Sequence, residues 1–313
     1  MSTKGKIFDV AVVGEIYVDH VFSGFKAFPG PGEEVITDAY AREVGGGAAT
    51  TACGLARLGR KVNLLGLIGR SDTPFIGQRL KGFGVATAGL KARDGVTGVS
   101  LSVSTLEDRS FFTHIGVNAD LSDYLSTPEA LDDMLSARHV HFSMPLAAPL
   151  ARAILPKLAK AGRTTSLDVG YQPRWLSDRA NVATLRQIDH FLPNEKEAEL
   201  FCQVADHEAF FARARAVGLK APMLKLGARG AMAEDASRRY SARPPKVQAL
   251  DTTGAGDAFN VGFIDALLDQ TDPLERLQRA CVSGALSTRV AGALAGLPDR
   301  KEFRSTYAQT YQR

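Results

Sequence analysis

The chain has 313 residues, of which 45% are hydrophobic and 23% charged, and these globular values exclude a disordered or fibrous chain. Lys and Arg number 38 against 34 Asp and Glu, a net charge of +4, and because the cations are scattered we expect no nucleic-acid partner. No uncharged stretch approaches the roughly 20 residues that a bilayer requires, so we expect no membrane span and a cytoplasmic protein. The cysteines, Cys53, Cys202 and Cys281, lie far apart in sequence, which predicts reduced thiols and no metal site.

Short apolar runs alternate with segments of helical periodicity along most of the chain. The apolar runs predict strands at 10–13, 62–68, 139–143, 165–169, 188–192 and 223–226. The periodic segments predict helices at 50–58, 75–83, 128–135, 150–160, 195–204 and 207–217. Strands without strict alternation, separated by helices, are typical of a parallel sheet covered on both faces. We therefore predict a doubly wound, mostly parallel α/β fold in one domain spanning residues 1–313.

Two segments, 17–44 and 98–116, interrupt this alternation. The first contains a Pro-Gly-Pro-Gly sequence and no helical pattern, and the second contains two β-rich runs at 99–103 and 110–115. Together they predict a small antiparallel sheet beside the main one. In an α/β enzyme such an addition covers the ligand crevice as a lid. The alternative is an edge extension that only packs.

The most informative segment runs from Asp251 through Asp257 into a helical pattern. Gly254, Ala255 and Gly256 place small residues at a helix start, where backbone N–H groups lack intrahelical partners and the dipole is positive. Such a loop is suited to bind phosphate. Because Asp257 would repel a phosphate, it indicates either a general base for a substrate hydroxyl or a residue that caps the helix. These residues alone leave both interpretations open.

The sequence from Asp251 onward, DTTGAGDAFNVGFI, resembles the C-terminal signature of the ribokinase-like, or PfkB, family of carbohydrate and nucleoside kinases. The resemblance implies that Asp257 is the catalytic base and that the three residues before it form an anion hole. It also implies that Asp251 and Thr253 help bind a monovalent cation such as K⁺. Residues 7–300 follow the family's motif order, which implies the same doubly wound sheet with a β-strand lid.

Further matches concern the nucleotide. Asn194 and Glu197 are similar to the family's Asn-x-x-Glu motif, which implies that they organise Mg²⁺-bound water near the phosphates. The chemistry is consistent, since Mg²⁺ prefers oxygen ligands and keeps several waters. Without the resemblance, this segment is an ordinary solvated helix start. Lys225, Gly227 and Gly230 look like a strand and turn beside the phosphates, where Lys225 would neutralise charge; the alternative is a plain strand turn.

The N-terminal half resembles the family's substrate motifs. Gly46, Gly47 and Thr50 follow the spacing of its N-terminal signature, although the family usually has Asn at the position of Thr50, where it commonly contacts the phosphoryl acceptor. Asp19, after the first predicted strand, matches an Asp that holds sugar hydroxyls. Ribokinases tend to carry an acidic residue in the segment where this chain has Ser143. The identity of the acceptor therefore stays open.

Several polar side chains fit no motif. His139 and His141 lie on one side of a predicted strand, and we expect packed or hydrogen-bonded imidazoles because Zn²⁺ sites need three or four ligands. Sugar-acid kinases of the family tend to show Asp-x-Asn-x-Arg where this chain has Asp168 followed by Val-Gly-Tyr-Gln. That departure disfavours a 2-keto-3-deoxygluconate substrate. The sequence leaves open the roles of three arginines: Arg109, Arg174 and Arg229.

These features predict an ATP-dependent kinase that phosphorylates a hydroxymethyl group of a small sugar, with Mg²⁺ and with K⁺ as a further candidate cofactor. The alternatives are an adenosine-type nucleoside kinase and a sugar-acid kinase of the 2-keto-3-deoxygluconate type. A non-catalytic regulator with the same fold is a third alternative, against which the retained Asp257 argues. A lid built from β-strands also predicts a homodimer that pairs through the lid.

Overall fold

The computed structural model describes residues 8–105, 109–235 and 238–312. Within these residues, strands are β1 Phe8–Gly14, β2 Tyr17–Phe25, β3 Tyr40–Gly45, β4 Val62–Gly69, β5 Leu90–Arg93, β6 Gly98–Thr105, β7 Arg109–His114, β8 Ala137–Ser143, β9 Thr164–Leu167, β10 His190–Phe191, β11 Met223–Lys225, β12 Ala231–Glu234 and β13 Arg239–Ala242. The α-helices are α1 Gly47–Arg57, α2 Thr73–Phe83, α3 Leu121–Leu125, α4 Pro128–Leu135, α5 Ala148–Lys160, α6 Pro173–Ser177, α7 Val182–Leu185, α8 Glu195–Cys202, α9 His207–Ala216, α10 Ala255–Leu268, α11 Pro273–Ser287 and α12 Arg300–Tyr311.

The central sheet has the strand order β10-β9-β8-β1-β4-β5, and each neighbouring pair in it is parallel. Parallel bridges from Phe191 to Pro222 and from Asn194 to Lys225 continue it toward β11. β11 also forms a small antiparallel sheet with β12 and β13. The predicted mostly parallel α/β fold is confirmed.

Two hydrophobic cores lie on opposite faces of this sheet. Along β1, Val10 and Val12 belong to one core, whereas Ala11 and Val13 belong to the other, because successive side chains of a strand point to opposite faces. Helices α1, α2, α10 and α11 pack on the first face. Helices α3, α4, α5, α8 and α9 pack on the second. The sheet is therefore doubly wound, with α10 and its N-terminal loop on the first face.

The predicted small sheet is present, with the strand order β3-β2-β6-β7. The pairs β2–β3 and β6–β7 are antiparallel, but β2 and β6 are parallel, so the sheet is mixed where we expected antiparallel pairing throughout. The physical reason is that β2 and β6 each follow a main-sheet strand, β1 and β5, and leave the same edge in the same direction. Residues 106–108 of the predicted lid segment lie outside the described residues.

Some elements carry no clear sequence signal. β5 reads Leu-Lys-Ala-Arg and is at most half-buried, and α12 buries only Phe303 among its described residues. Because few of their residues are buried, β5 lacks a continuous apolar run and α12 lacks a strong apolar stripe at helical spacing. None of the helices in the described ranges is long and apolar enough to cross a membrane.

His139 and His141 are fully buried on β8. His139 Nε2 and His141 Nδ1 each lie 2.8 Å from Oγ of Ser166, and His139 Nδ1 lies 2.8 Å from Oγ1 of Thr164. Burial lowers the pKa of both imidazoles, that of His141 to about 4. The expectation of packed, hydrogen-bonded histidines is confirmed. The cysteines are free thiols.

Candidate active site

The carboxyl ends of the parallel strands and the N-terminus of α10 meet at one edge of the sheet. Ser143 ends β8, Gly47 begins α1, and Asp257 lies in the first turn of α10. A Cβ on Gly47 would stand 2.5 Å from Ser143 Oγ and 2.6 Å from Asp257 Oδ1. The structure therefore brings these three residues into close contact, and a side chain at position 47 would collide with the other two.

The N-terminus of α10 is built for close approach. Its N-cap, Gly254, has a left-handed φ of +71° and no capping side chain, and a Cβ there would stand 2.8 Å from Cβ of Ala293. The first N–H groups of a helix have no intrahelical acceptor. The backbone N–H groups of Gly256 and Asp257 are thus available to an anion, whereas that of Ala255, one of the three residues of the expected anion hole, donates to the backbone oxygen of Thr252 at 3.1 Å.

The Asp257 carboxylate is partly exposed, and the N-cap position belongs to Gly254. Burial raises the pKa of Asp257 to about 7; the negative charges of Asp168 and Glu197 raise it further, whereas Lys225 opposes them. A carboxyl group that titrates near neutral pH is suited to accept a proton from an alcohol.

A buried polar cluster lies beside Asp257. Nζ of Lys225 and Nδ2 of Asn260 each donate to Oδ2 of Asp168 at 2.6 Å. Glu197, 3% exposed, belongs to the same cluster: burial raises its pKa to about 7, Asp168 adds to the rise and Lys225 opposes it. Three carboxylates therefore lie near a single ammonium group. The resulting excess of negative charge favours binding of a further cation.

The Asn194 and Glu197 pair forms a capping box at the start of α8. Oδ1 of Asn194 accepts from the Glu197 backbone N–H at 3.0 Å, and Oε2 of Glu197 accepts from the Asn194 backbone N–H at 2.9 Å. Oε1 of Glu197 also accepts from Nδ2 of Asn194 at 2.8 Å. Glu197 is buried at this helix start, whereas Lys196 is exposed to solvent. The capping box fixes the Glu197 charge in place and leaves carboxylate lone pairs free for water.

A cavity of about 690 Å³ opens beside this cluster. Its lining combines Lys225 and the first turn of α10 with small or apolar residues, among them Gly227, Gly230, Val247, Phe259, Cys281, Gly284 and Ala285. A cationic group and a helix N-terminus suit phosphate, and a mostly apolar lining suits a flat base. The cavity has the chemistry of a nucleotide site.

The turn after β11 requires glycine at Gly230. Its φ is +98°, and a Cβ there would stand 1.9 Å from the backbone oxygen of Ala242. Gly227 also has a positive φ, of +57°. Arg229 between them forms an exposed ion pair with Glu195 of α8 and is directed away from the cluster around Lys225.

The residues expected to bind the acceptor lie on β2 and at the start of α1. The carboxylate of Asp19 packs against Gly45, where a Cβ would stand 2.1 Å from Oδ1 of Asp19. Burial raises the pKa of Asp19 to about 6, and Glu43, its cross-strand neighbour, adds to the rise. Gly46, with φ +93°, is the N-cap of α1. A carboxylate held here in partial burial is suited to accept hydroxyl hydrogen bonds.

A family model described as pfkB family carbohydrate kinase matches residues 8–300. The chain belongs to this family. It is 32% identical over 310 residues to the ribokinase of Haemophilus influenzae, covering 94% of this chain and 96% of the relative. It is 28% identical to the 2-dehydro-3-deoxygluconokinase of Bacillus subtilis, covering 85% and 87%. The structure of Arabidopsis thaliana ribokinase complexed with ribose and ATP matches with a TM-score of 0.85 at 23% identity, covering 96% and 98%. The predicted ATP-dependent carbohydrate kinase is confirmed.

In this pfkB kinase, the Thr50 hydroxyl is engaged within its own helix. Thr50 is 2% exposed, and its Oγ1 donates to the backbone oxygen of Gly46 at 3.2 Å within α1. Arg174 is exposed on α6, and Arg109 begins β7. Asp251 precedes the anion hole; its carboxylate accepts from the backbone N–H groups of Thr253 and Gly292, each at 2.8 Å.

Sequence reasoning missed Asp168 and Asn260 as site residues. Asp168 follows β9 directly, at the carboxyl edge of the sheet where ligands of open α/β folds bind, and that position was a usable signal. Asn260 lies three residues after Asp257, which places it one turn further along α10. Nothing in a single sequence shows that this turn faces Asp168.

Proposed function

We propose that this kinase transfers the γ-phosphoryl group of ATP to a hydroxymethyl group of a small neutral sugar, with Asp257 as the general base. The observation that carries the proposal is the position of the Asp257 carboxylate. It lies in the first turn of α10, whose N-terminus suits the transferring phosphoryl group, and it packs against Gly47 and Ser143 at the carboxyl end of the sheet. Proton acceptance and charge stabilisation are the two contributions that phosphoryl transfer to an alcohol needs.

The nucleotide fits the cavity next to Lys225. We infer that the phosphates meet Lys225 and the backbone of α10 at Gly256 and Asp257, with Gly254 and Ala255 shaping the loop before them, while the turn at Gly227 and Gly230 approaches through its backbone. Bound Mg²⁺ would neutralise charge on the phosphates. Asn194 and Glu197 fit this ion because their oxygen atoms lie beside the site in a fixed capping box and because Mg²⁺ binds oxygen and retains water.

The acceptor is expected between β2 and α1. Asp19 would accept hydroxyl hydrogen bonds, and Gly46 and Gly47 would let the sugar approach the backbone. Thr50 shapes the floor of this side: a Cβ on Gly254 would stand 3.3 Å from its Cγ2. The sheet formed by β2, β3, β6 and β7 would act as a lid that excludes water from the site. In this proposal the lid and the main sheet are parts of one domain spanning residues 1–313.

Two further parts of the proposal concern ions and assembly. Asp251 and Thr253 belong to the fixed loop before the anion hole, and we propose that K⁺ binds there and raises activity. Exposed apolar side chains on or beside the lid sheet, including Phe28, Ile36 and Phe111, support pairing of two lids in a homodimer. Light scattering of the protein and of an Ile36→Ser/Phe111→Ser variant tests the dimer, which the variant should weaken. A cytoplasmic location stays a prediction.

The test is an ADP-release assay with Mg²⁺ over neutral sugars, sugar acids and nucleosides. We expect a neutral sugar to be the best substrate. A nucleoside as best substrate would assign a base-stacking role to the exposed aromatics Phe28 and Phe112, whose rings lie 6.2 Å apart, and a sugar acid would match the Bacillus relative. Either result would contradict the proposal that the acceptor is a neutral sugar, while leaving the kinase assignment intact.

The base assignment has its own test. Asp257→Asn should lower kcat by about 10²–10⁴-fold and leave ATP affinity within a few fold. Asp269→Asn, at the C-cap of the same helix, is the matched control and should retain wild-type kcat. If Asp257→Asn kept more than about a third of wild-type kcat, Asp257 would not be the base.

A further inference from the structure

Asp168 is a buried carboxylate whose hydrogen-bonding capacity is directed into the protein. It is 7% exposed. Oδ1 accepts from the backbone N–H of Gly170 at 3.0 Å, and Oδ2 accepts from both Lys225 Nζ and Asn260 Nδ2 at 2.6 Å. One carboxylate therefore connects the end of β9 with β11 and with α10.

Lys225 depends on this contact for a defined position. A lysine side chain has four rotatable bonds and loses much rotamer freedom when fixed. Here Nζ is held on Asp168 and lies 3.6 Å from the point where a Cβ on Gly256 would stand. An ammonium group has three N–H donors, so the bond to Asp168 leaves donors for an anion at the α10 N-terminus.

Asn260 ties the same carboxylate to the helix that carries Asp257. It is fully buried and lies one turn beyond Asp257 on α10. Its Nδ2 is bound to Asp168, while its Oδ1 has no partner within the described residues. A shift of Asp168 would therefore move both Lys225 and the first turns of α10.

We propose that Asp168 is a positioning residue for phosphoryl transfer, which holds the Lys225 ammonium and the α10 N-terminus in one arrangement so that both meet the same phosphoryl group. The proposal rests on the proposed function, in which Lys225 and α10 bind the nucleotide phosphates. Asp168 itself touches neither substrate. Its contribution is to preorganise two groups that come from distant parts of the chain.

The charged or titratable groups around Asp168 determine what its removal does. They come from four elements: Lys225 of β11, Asp257 of α10, Glu197 of α8 and His141 of β8. Asp168→Asn keeps the shape of the side chain but removes its charge, so Lys225 is left to pair with Glu197 or Asp257. We expect ATP affinity to fall at least about fivefold and kcat at least about tenfold, with the sugar KM unchanged.

A double-mutant cycle tests whether Asp168 acts through Lys225. Asp168→Asn, Lys225→Met and the double variant are compared by kcat/KM for ATP and by calorimetric binding of a non-hydrolysable ATP analogue. If the proposal holds, the double variant binds the analogue within about twofold of Lys225→Met alone. Additive losses would show that Asp168 does not act through Lys225 and would overturn the proposal.

Asp265→Asn is the matched control for a purely structural role. Asp265 is also fully buried on α10, but it pairs with Arg60 and Arg300, each at 2.6 Å, on the far side from the cavity lining. We expect it to lower Tm while ATP affinity and kcat stay at wild-type values. If Asp168→Asn behaves in the same way, Asp168 is structural only and the proposal fails.

A second variant tests the proposal even if Asp168→Asn folds poorly. Asn260→Ala keeps the ion pair of Asp168 and Lys225 but releases α10, so kcat should fall several-fold while analogue binding is retained. Unchanged kcat would overturn the link to α10. Failure of the nucleotide site itself would be recognised separately, because Lys225→Met alone would then bind the analogue like the wild type.

Discussion

Gly47→Ala tests the geometry of the active site with a single methyl group. Gly47 begins α1 and does not have a positive φ, so the backbone accepts alanine, which also has the higher helix propensity. The new Cβ would stand 2.6 Å from Asp257 Oδ1 and 2.5 Å from Ser143 Oγ. To restore an ordinary contact of 3.4 Å, Oδ1 must retreat from 2.6 Å by about 0.8 Å.

That displacement moves the Asp257 carboxylate relative to the substrate hydroxyl from which it would accept a proton. A misplacement of about 1 Å can cost about 10²-fold in rate, so we expect kcat to fall roughly 30- to 100-fold. The methyl group also occupies space next to the base where the acceptor hydroxyl would lie, so the sugar KM should rise. The ATP KM should stay within about twofold, because the atoms nearest to the new Cβ belong to the side chains of Ser143 and Asp257 and not to the backbone of α10 or to Lys225.

The assay is steady-state kinetics by ADP release, with Tm measured on the same samples. Gly77→Ala and Gly82→Ala on α2 are matched controls, since a Cβ at either position meets nothing within 4 Å. Both should keep wild-type kinetics. If Gly47→Ala retained more than about a third of wild-type kcat, the position of the Asp257 carboxylate against Gly47 would not control the reaction.

The remaining predictions use the ionisable groups of the site. Because the pKa of Asp257 is raised to about 7, kcat/KM should fall about tenfold for each pH unit below 7; a flat profile between pH 5 and 7 would contradict this. The same shift means that the unfolded carboxyl ionises near pH 3.8 and the folded one only near pH 7, so the folded state loses stability as pH rises between these two values. Asp257→Asn should therefore raise Tm at pH 8 and change it much less at pH 5, as scanning calorimetry would detect. Asp19→Ala should raise the sugar KM at least several-fold, since an unpaired polar group costs about 1–3 kcal/mol, with the ATP KM spared; equal rises in both KM values would remove Asp19 from the acceptor site. Glu197→Gln keeps the capping box but loses the charge, so half-maximal activity should need more Mg²⁺, and an unchanged Mg²⁺ titration would exclude that role.

The glycine-rich start of α10 and the place of Asp257 in its first turn could be predicted because their signal is local. A glycine-rich loop that opens into a helix specifies its own backbone geometry, and Asp257 lies within that segment. The cluster around Asp168 was not predictable in this way. Its partners Lys225 and Asn260 lie 57 and 92 residues away along the chain, and their meeting depends on strand order, which a single sequence does not show.

Two predictions made from local sequence were incomplete for a related reason. The Glu-Lys-Glu run at the start of α8 is typical of a solvated helix, yet Glu197 is buried because α8 packs against the end of the sheet. Thr50 keeps a hydroxyl at the position of the family's Asn, but a short side chain in a helix readily donates to the carbonyl four residues earlier. Gly46 supplies that carbonyl.

The pairing of β2 with β6 also depends on the global fold. The alternation of β-rich runs correctly located the small sheet, but the relative direction of its strands follows from where each one leaves the main sheet. β2 follows β1 after two residues, and β6 follows β5 after four. Both connections start at the same sheet edge, so the two strands run side by side in the same direction.

The buried histidines on β8 make the stability of the fold depend on pH in the acid range. His139 and His141 stay neutral in the folded protein because burial lowers their pKa values, that of His141 to about 4, whereas in the unfolded chain both take up protons below about pH 6.5. Unfolding then binds protons, and each pH unit below 6.5 reduces the free energy of unfolding by up to about 1.4 kcal/mol per imidazole. These two imidazoles therefore lower the stability of the enzyme in mild acid, and replacing either histidine by a neutral side chain of similar shape is a route to an acid-tolerant variant.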